Sequence, residues 1–272
     1  MAEDLKHIIY KTVTETNRKM TPGDVEKAVA EAAGVDRRKV RLAIRDLVGL
    51  RKLTYTYVYG TSFVERSFDR PVRLSKRIVI KPPKLAYQPR PGEIVVSIAQ
   101  GAAFGNGAHP STCLALRALD DAFSENRCAQ LQTPLKGLDI GTGTGILAIA
   151  LAKLGVQTVL GIDIDPCAVS EAAHNVSLNQ VFEQVEISNT PLEDLTSQFS
   201  IIVANIAHPT LSRKAPFLSA RTEANGMLIL SGFKEYASKD VRESYTNQGL
   251  TFVREELDRE WTCVVLRKPE QP

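Results

Sequence analysis

Residues 137–267 predict an α/β fold on a doubly wound, mostly parallel sheet that closes with an antiparallel hairpin. A small basic α+β unit precedes it. Three observations carry this. Short apolar runs of strand length alternate with helical patterns through the C-terminal half, as strands covered on both faces do. The last two runs are separated by almost nothing, so they pair antiparallel. The first seventy residues instead show 3.6-period stripes and then β-rich sequence around one glycine.

In chain order, a helical pattern runs from about Asp4 to Asn17. Thr21 is a good N-cap, with Pro22 at the first helical position. Val25, Ala28, Val29 and Ala32 continue that second helix, and Gly34 is placed to end it. A third helix starts after Asp36 and buries Val40, Ile44 and Leu47. Arg37, Arg41 and Arg45 recur at four-residue spacing on one of its faces, with Arg38 and Lys39 beside them. LTYTYVYGTSFVERS then reads as a hairpin about Gly60. Helices followed by a hairpin in this order resemble a winged helix-turn-helix domain. That resemblance implies nucleic-acid or ribonucleoprotein contact through Arg37, Arg38, Arg41 and Arg45.

Residues 71–96 hold Pro71, Pro82, Pro83, Pro89 and Pro91. Proline fixes φ and lacks a donor, so residues 71–100 are expected to be an extended linker, with short strands at 78–80 and 94–96. Beyond it, strands are expected at 137–140, 158–163, 185–188, 200–206 and 226–232. Helices are expected at Gly145–Leu154, Pro166–Leu178 and Thr210–Ala220. The expected division is a winged-helix-like unit at 1–70, the linker at 71–100 and a catalytic domain at 101–272.

The 272 residues, 43% hydrophobic and 24% charged, suit a folded globular chain of about two domains and exclude a disordered or fibrous one. The net charge of +3 hides an asymmetry. Residues 1–90 carry 20 basic and 10 acidic side chains, a surplus of 10, whereas the rest carries 14 against 21. Two units with different partners are implied. Cys113, Cys128, Cys167 and Cys263 are scattered, with no C-x-x-C, so neither a zinc site nor a disulfide framework is expected. The four histidines form no H-E-x-x-H pair, and no metal is expected. No apolar run approaches the ~18 residues that cross a bilayer, and the acidic N-terminus does not read as a signal peptide. A cytoplasmic protein without membrane contact is the expectation.

The chemistry points to LDIGTGTGILAIALAKLG, residues 138–155. A strand ends at Asp139-Ile140, and Gly141, Gly143 and Gly145 follow before a helix. Glycines there let the main chain turn sharply and approach a ligand at a strand's carboxyl end. A dinucleotide fingerprint needs glycine at the position of Ile146, so the spacing is G-x-G-x-G with an acid two residues before it. This resembles motif I of class I S-adenosylmethionine (AdoMet) methyltransferases. Asp163 ends the next strand, 22 residues after Gly141, where a carboxylate can accept from both ribose hydroxyls. Asp165, before Pro166, is read as a helix N-cap. Asn205 ends the fourth strand in VANI, on the same edge of the sheet.

Upstream, Ala103-Phe104-Gly105-Asn106-Gly107-Ala108-His109-Pro110-Ser111-Thr112 looks like the signature loop of the PrmA-type ribosomal protein methyltransferases. The similarity continues through GIDIDPCAV, VANI and the final EW…R. It departs at Ala99-Gln100-Gly101, at Thr142-Gly143-Thr144 and at Ala207-His208-Pro209. Residues 1–70 do not read as that family's ferredoxin-like substrate domain.

The resemblance implies AdoMet as cofactor, S-adenosylhomocysteine as product, and a macromolecular acceptor, with a protein amine favoured. Cofactor contacts are then expected from Phe104, Thr112, Asp139, Gly141, Gly143, Gly145, Asp163 and Asn205. The Phe104 ring would cover the cofactor, its aromatic face attracting the sulfonium cation. Asn205 is expected to orient the neutral amine, and His208 to act as base. Trp261 is read as a plug of the sheet edge in preference to a wall of the acceptor pocket. Two other readings stay open. One is an RNA or DNA methyltransferase guided by the basic unit, against which Asn205 lacks the following Pro-Pro-Tyr-like aromatic that stacks a flipped base. The other is a non-catalytic winged-helix regulator that senses AdoMet.

Overall fold

The computed structural model describes residues 2–16, 18–58, 60–99, 101, 103–105, 107–124 and 134–270. Cys128, and Gln100 and Asn106 of the loop motif, lie outside them. The chain divides into two compact units, Met1–Arg70 and Pro71–Pro272.

In the first unit α1 (Ala2–Glu15), α2 (Pro22–Ala33) and α3 (Arg37–Gly49) precede β1 (Leu53–Val58) and β2 (Thr61–Arg66). Local chemistry sets these boundaries. Thr21 and Asp24 exchange side-chain bonds with each other's backbone N–H, at 3.2 and 3.0 Å, in a capping box. Gly34 takes the left-handed conformation that ends α2, and Asp36 caps α3 by accepting from the Arg38 N–H at 2.6 Å. Ile9, Val25, Val29, Val40, Ile44, Leu47, Leu53 and Val64 are buried together as the core. β1 and β2 pair antiparallel from Leu53↔Arg66 to Val58↔Thr61, and Met20 bridges to Val64.

Residues 71–100 form the two strands expected at 78–80 and 94–96, but as part of a sheet rather than an extended linker. They carry β3 (Val72–Arg73), β4 (Ile78–Lys81) and β5 (Ile94–Ser97), with β4 antiparallel to β3 and parallel to β5, within the second unit. The prolines interrupt nothing, because Pro71 precedes β3 and the other four lie between β4 and β5. Ile78, Val79, Ile80 and Val96 are buried. Arg77 anchors this sheet. Its main-chain N–H and its Nε donate to the buried Asp120 carboxylate at 2.9 and 2.6 Å.

The rest of the second unit runs α4 (Pro110–Ser124), β6 (Lys136–Ile140), α5 (Ile146–Lys153), β7 (Thr158–Ile162), α6 (Pro166–Leu178), β8 (Val185–Ser188), β9 (Phe199–Asn205), α7 (His208–Arg221), β10 (Thr222–Lys234), α8 (Ser238–Thr246), β11 (Thr251–Asp258) and β12 (Trp261–Arg267). The sheet order is β11-β12-β10-β9-β6-β7-β8. Only β12 pairs antiparallel, with β10 and with β11, which is the predicted class. The order in which strands are added reverses between the parallel neighbours β6 and β9, whose carboxyl ends lie side by side (Ile140↔Ala204). That switch point is where open α/β sheets bind ligands. Every residue of α5 from Ile146 to Ala152 is buried, because the helix packs on β5, β6, β7, α4 and α6. Among the described residues no helix is long and apolar enough to cross a membrane.

Candidate functional site

The glycine loop after β6 is held from beneath and from above. Beneath it lies Asp139, whose Oδ2 accepts from the Thr142 hydroxyl at 2.7 Å and the Ala148 N–H at 3.0 Å. Burial pushes this carboxyl up to about 7, opposed by those two hydrogen bonds, with the Asp163 charge adding a further push. Asp139 has no exposed surface and shapes the loop from below, with its Oδ1 buried and without a hydrogen-bond partner. Above the loop, the Phe104 carbonyl accepts from the Thr144 N–H at 2.9 Å and the Gly105 carbonyl from the Thr144 hydroxyl at 2.7 Å. Gly143 (φ +55°) has to be glycine here, since a Cβ would sit 2.2 Å from the Phe104 oxygen. Gly141 (φ +67°) lets the main chain pass Ile206, whose side chain would lie 2.6 Å from a Cβ. Gly145 packs on Ala172 of α6.

Asp163 follows β7, half-buried. One carboxylate oxygen accepts from the Gly143 N–H at 2.9 Å and the other from the Asp165 N–H at 3.0 Å. Each oxygen keeps a free lone pair, so the pair can still accept from a diol. Asp165 caps α6 as expected, accepting from the Cys167 N–H. Asn205 closes β9. Its Nδ2 donates to the Thr112 hydroxyl at 3.1 Å, while its Oδ1 is buried with no hydrogen-bond partner in the structure. Thr112 itself is fully buried on the first turn of α4, and its hydroxyl faces Asn205. A buried acceptor without a donor is costly, so Asn205 Oδ1 is a place made for an incoming N–H or O–H.

The Phe104 ring is 53% exposed and meets His109 edge-on at 5.1 Å. His109 in turn meets Trp261 at 4.4 Å, and Lys234 Nζ lies 5.1 Å from the indole centroid. Trp261 therefore backs the Phe104 loop through His109, in place of the plain edge plug expected. His208 opens α7, with its ring 6.1 Å from that of Tyr236. The structure thus gathers Phe104, Thr112, the three glycines, Asp163 and Asn205 around the loop.

Sequence reasoning missed the residues that hold the incoming segment. On α6 and just beyond it, Glu171, Asn175 and Asn179 lie four residues apart on one face. Glu171 accepts from the Ala103 N–H, Asn175 from the Ala99 N–H, and Asn179 from the Ser97 N–H, at 2.9–3.0 Å. Asn175 also donates to the Thr144 carbonyl, which ties this segment to the glycine loop. The available signal was that four-residue spacing of hydrogen-bonding side chains. Among the described residues no three His, Cys, Asp or Glu side chains group to hold a metal.

The donor set fits a nucleoside bearing a short polar tail: a main-chain cradle without Cβ atoms, a diol-accepting carboxylate and an exposed aromatic ring. Comparison with known proteins agrees with this chemistry. The family model described as "Ribosomal protein L11 methyltransferase (PrmA)" matches residues 64–269. Proteins named ribosomal protein L11 methyltransferase from Geotalea daltonii and Geobacter metallireducens are 37% and 40% identical over 204 and 200 residues, each covering 74% of this chain. The matched stretch is 65% and 63% of their own length, so this chain spans just under two thirds of those relatives. The crystal structure of the ribosomal protein L11 methylase from Lactobacillus delbrueckii subsp. bulgaricus superposes with a TM-score of 0.63 at 28% identity, covering 73% of this chain and 99% of that one. The chain belongs to the PrmA family.

Proposed function

We propose that this protein is an AdoMet-dependent methyltransferase that methylates a protein amine, a lysine or an N-terminus, on a ribosomal or translation-associated protein. The observation that carries this is the Asn205 carboxamide at the sheet's switch point, pinned by Thr112 and left with a buried, unsatisfied Oδ1. The family's names, given to the relatives, support the protein acceptor. Residues 1–63 lie outside the family match.

When bound, AdoMet supplies an electrophilic methyl group on a sulfonium. In this reading the Gly141–Gly145 main chain and Asp163 hold its nucleoside and tail, and Phe104 covers the cation with its exposed face. Asn205 Oδ1 accepts an N–H of the neutral amine and so aims its lone pair. Taking the amine out of water lowers its pKa and favours that neutral form. His208 on the first turn of α7 takes the proton. The Met1–Arg70 unit serves as a winged-helix-like module that meets ribonucleoprotein through Arg37, Arg38, Arg41 and Arg45, in the cytoplasm.

Incubation with methyl-tritiated AdoMet and ribosomal subunits tests this. Label is expected in methylated lysine or an N-terminal residue after acid hydrolysis, resistant to ribonuclease and lost in Asn205→Ala. Ribonuclease-sensitive label would replace this reading with RNA methylation. AdoMet binding without any transfer would replace it with sensing.

A further inference from the structure

The first unit contains a concavity of about 370 Å³ lined by Pro22, Glu26, Arg41, Arg45, Tyr55 and Ser62. It lies within the ~300–1,000 Å³ of small-ligand pockets and has room for one nucleotide. Ile44 is buried, and β1 and β2 turn the buried Leu53 and Val64 to the face that also carries Tyr55 and Tyr57. That face leaves the core toward the hairpin tip, where Tyr55 is 46% and Tyr57 75% exposed. In the ladder Tyr57 stands opposite Ser62. The two residues are about 7 Å apart along the strand, so each ring can take a different base.

The four arginines of α3 divide here. Arg41 is held by Glu26 in a bidentate pair at 2.7 and 2.8 Å, and Arg37 donates to the Gly23 carbonyl and lies 3.9 Å from Glu26. Arg38 and Arg45 make no ion pair among the described residues and are exposed. Glu26 is buried, and the hydrogen bonds from Arg41, working against the cost of burial, hold its carboxyl below the usual range. The Glu26 clamp fixes the Arg41 guanidinium while leaving three of its five N–H donors unused. Three arginines around one carboxylate leave the groove positive.

The geometry points to a site for single-stranded nucleic acid in the groove between α3 and the β1–β2 hairpin. Backbone phosphate lies on Arg41 and Arg45, and successive unpaired bases stack on Tyr55 and Tyr57. Cations beside half-exposed rings are the pairing single strands use. A duplex hides its base faces and an acidic peptide has none, so either would leave both tyrosines idle. This deepens the ribonucleoprotein reading of the first unit and is independent of methyl transfer.

Fluorescence anisotropy of the full chain with fluorescein-labelled oligouridylate tests it, with oligothymidylate, an RNA duplex and poly-glutamate as the other arms. Both single strands should bind, and the tighter one identifies RNA or DNA as the source. Tyr55→Ala and Tyr57→Ala should each weaken binding on the order of tenfold without changing its salt dependence, and Tyr55→Phe should restore it. Arg45→Gln should lower the slope of log K against log salt by about 0.7, the loss of one single-strand phosphate contact. Equal binding of duplex, equal displacement by poly-glutamate, or unchanged affinity in folded tyrosine variants overturns the proposal. AdoMet titration of the same samples separates a failure here from a failure of the methyltransferase reading.

Discussion

Each unit contains a carboxylate held by an arginine, and the two pairs do opposite work. In the second unit Asp120 has no exposed surface and gathers the Arg77 N–H, the Arg77 Nε and the Ser124 hydroxyl. Burial pushes its carboxyl up, but the Ser75 hydroxyl and the Arg77 donors outweigh that and hold it below the usual range. The pair joins β4 to α4 and faces inward. In the first unit Glu26 is just as buried, yet the Arg41 side chain remains 56% exposed. The first pair is construction; the second presents a cation to solvent. A buried carboxylate therefore does not by itself say whether its partner is structural, and the partner's exposure does.

Asp120→Ala should break this comparison most severely. It strands a partly buried guanidinium, a main-chain N–H and a hydroxyl, and should cost the second unit about 3 kcal/mol. The single tryptophan, Trp261, lies in that unit, so its fluorescence in urea reads the loss. Next comes the pH response of Asp139. Its carboxyl is raised to about 7 when folded and ionises near 3.8 when unfolded. Between those values the folded state holds a proton that the unfolded state has released. That stabilisation is complete below about pH 4 and is lost as pH rises through about 7, at up to ~1.4 kcal/mol per pH unit. Asp139→Asn should flatten the second unit's stability across this window. A slope unchanged by the substitution would mean that Asp139 is ionised in the fold. Glu26→Ala should have the smallest effect, about 1 kcal/mol, because the freed Arg41 can hydrate. Far-UV circular dichroism and hydrogen exchange at α2 and α3 would show it.

The same contrast explains what could be read before folding. The strand ends at Asp139, Asp163 and Asn205 were legible because each closes an apolar run, and the glycine spacing marked the loop between them. Caps at Thr21, Asp36 and Asp165 were legible because capping is local. The burial of Asp139 was not, since it depends on α5 and the sheet closing over it. Nor were Glu171, Asn175 and Asn179, whose partners lie 68–82 residues away on a main-chain segment with no marking side chain. From spacing alone they read as a solvated helix face. The strands at 78–80 and 94–96 were legible as apolar runs, but β3 spans only two residues and the pairing of the three into one sheet depends on contacts across the proline-rich loop. α8 offered only Val241 and Tyr245 as a buried pair, too short a stripe to stand out.

The most direct measurement is calorimetric titration of AdoMet into the wild-type chain and into Asp163→Ala, with Trp261 fluorescence confirming that both are folded. Stoichiometric binding to the wild type is predicted, weakened at least about tenfold in the variant, as loss of charge-assisted hydrogen bonds requires. Absence of binding by both AdoMet and S-adenosylhomocysteine, or equal affinity in the two proteins, would contradict the site described here.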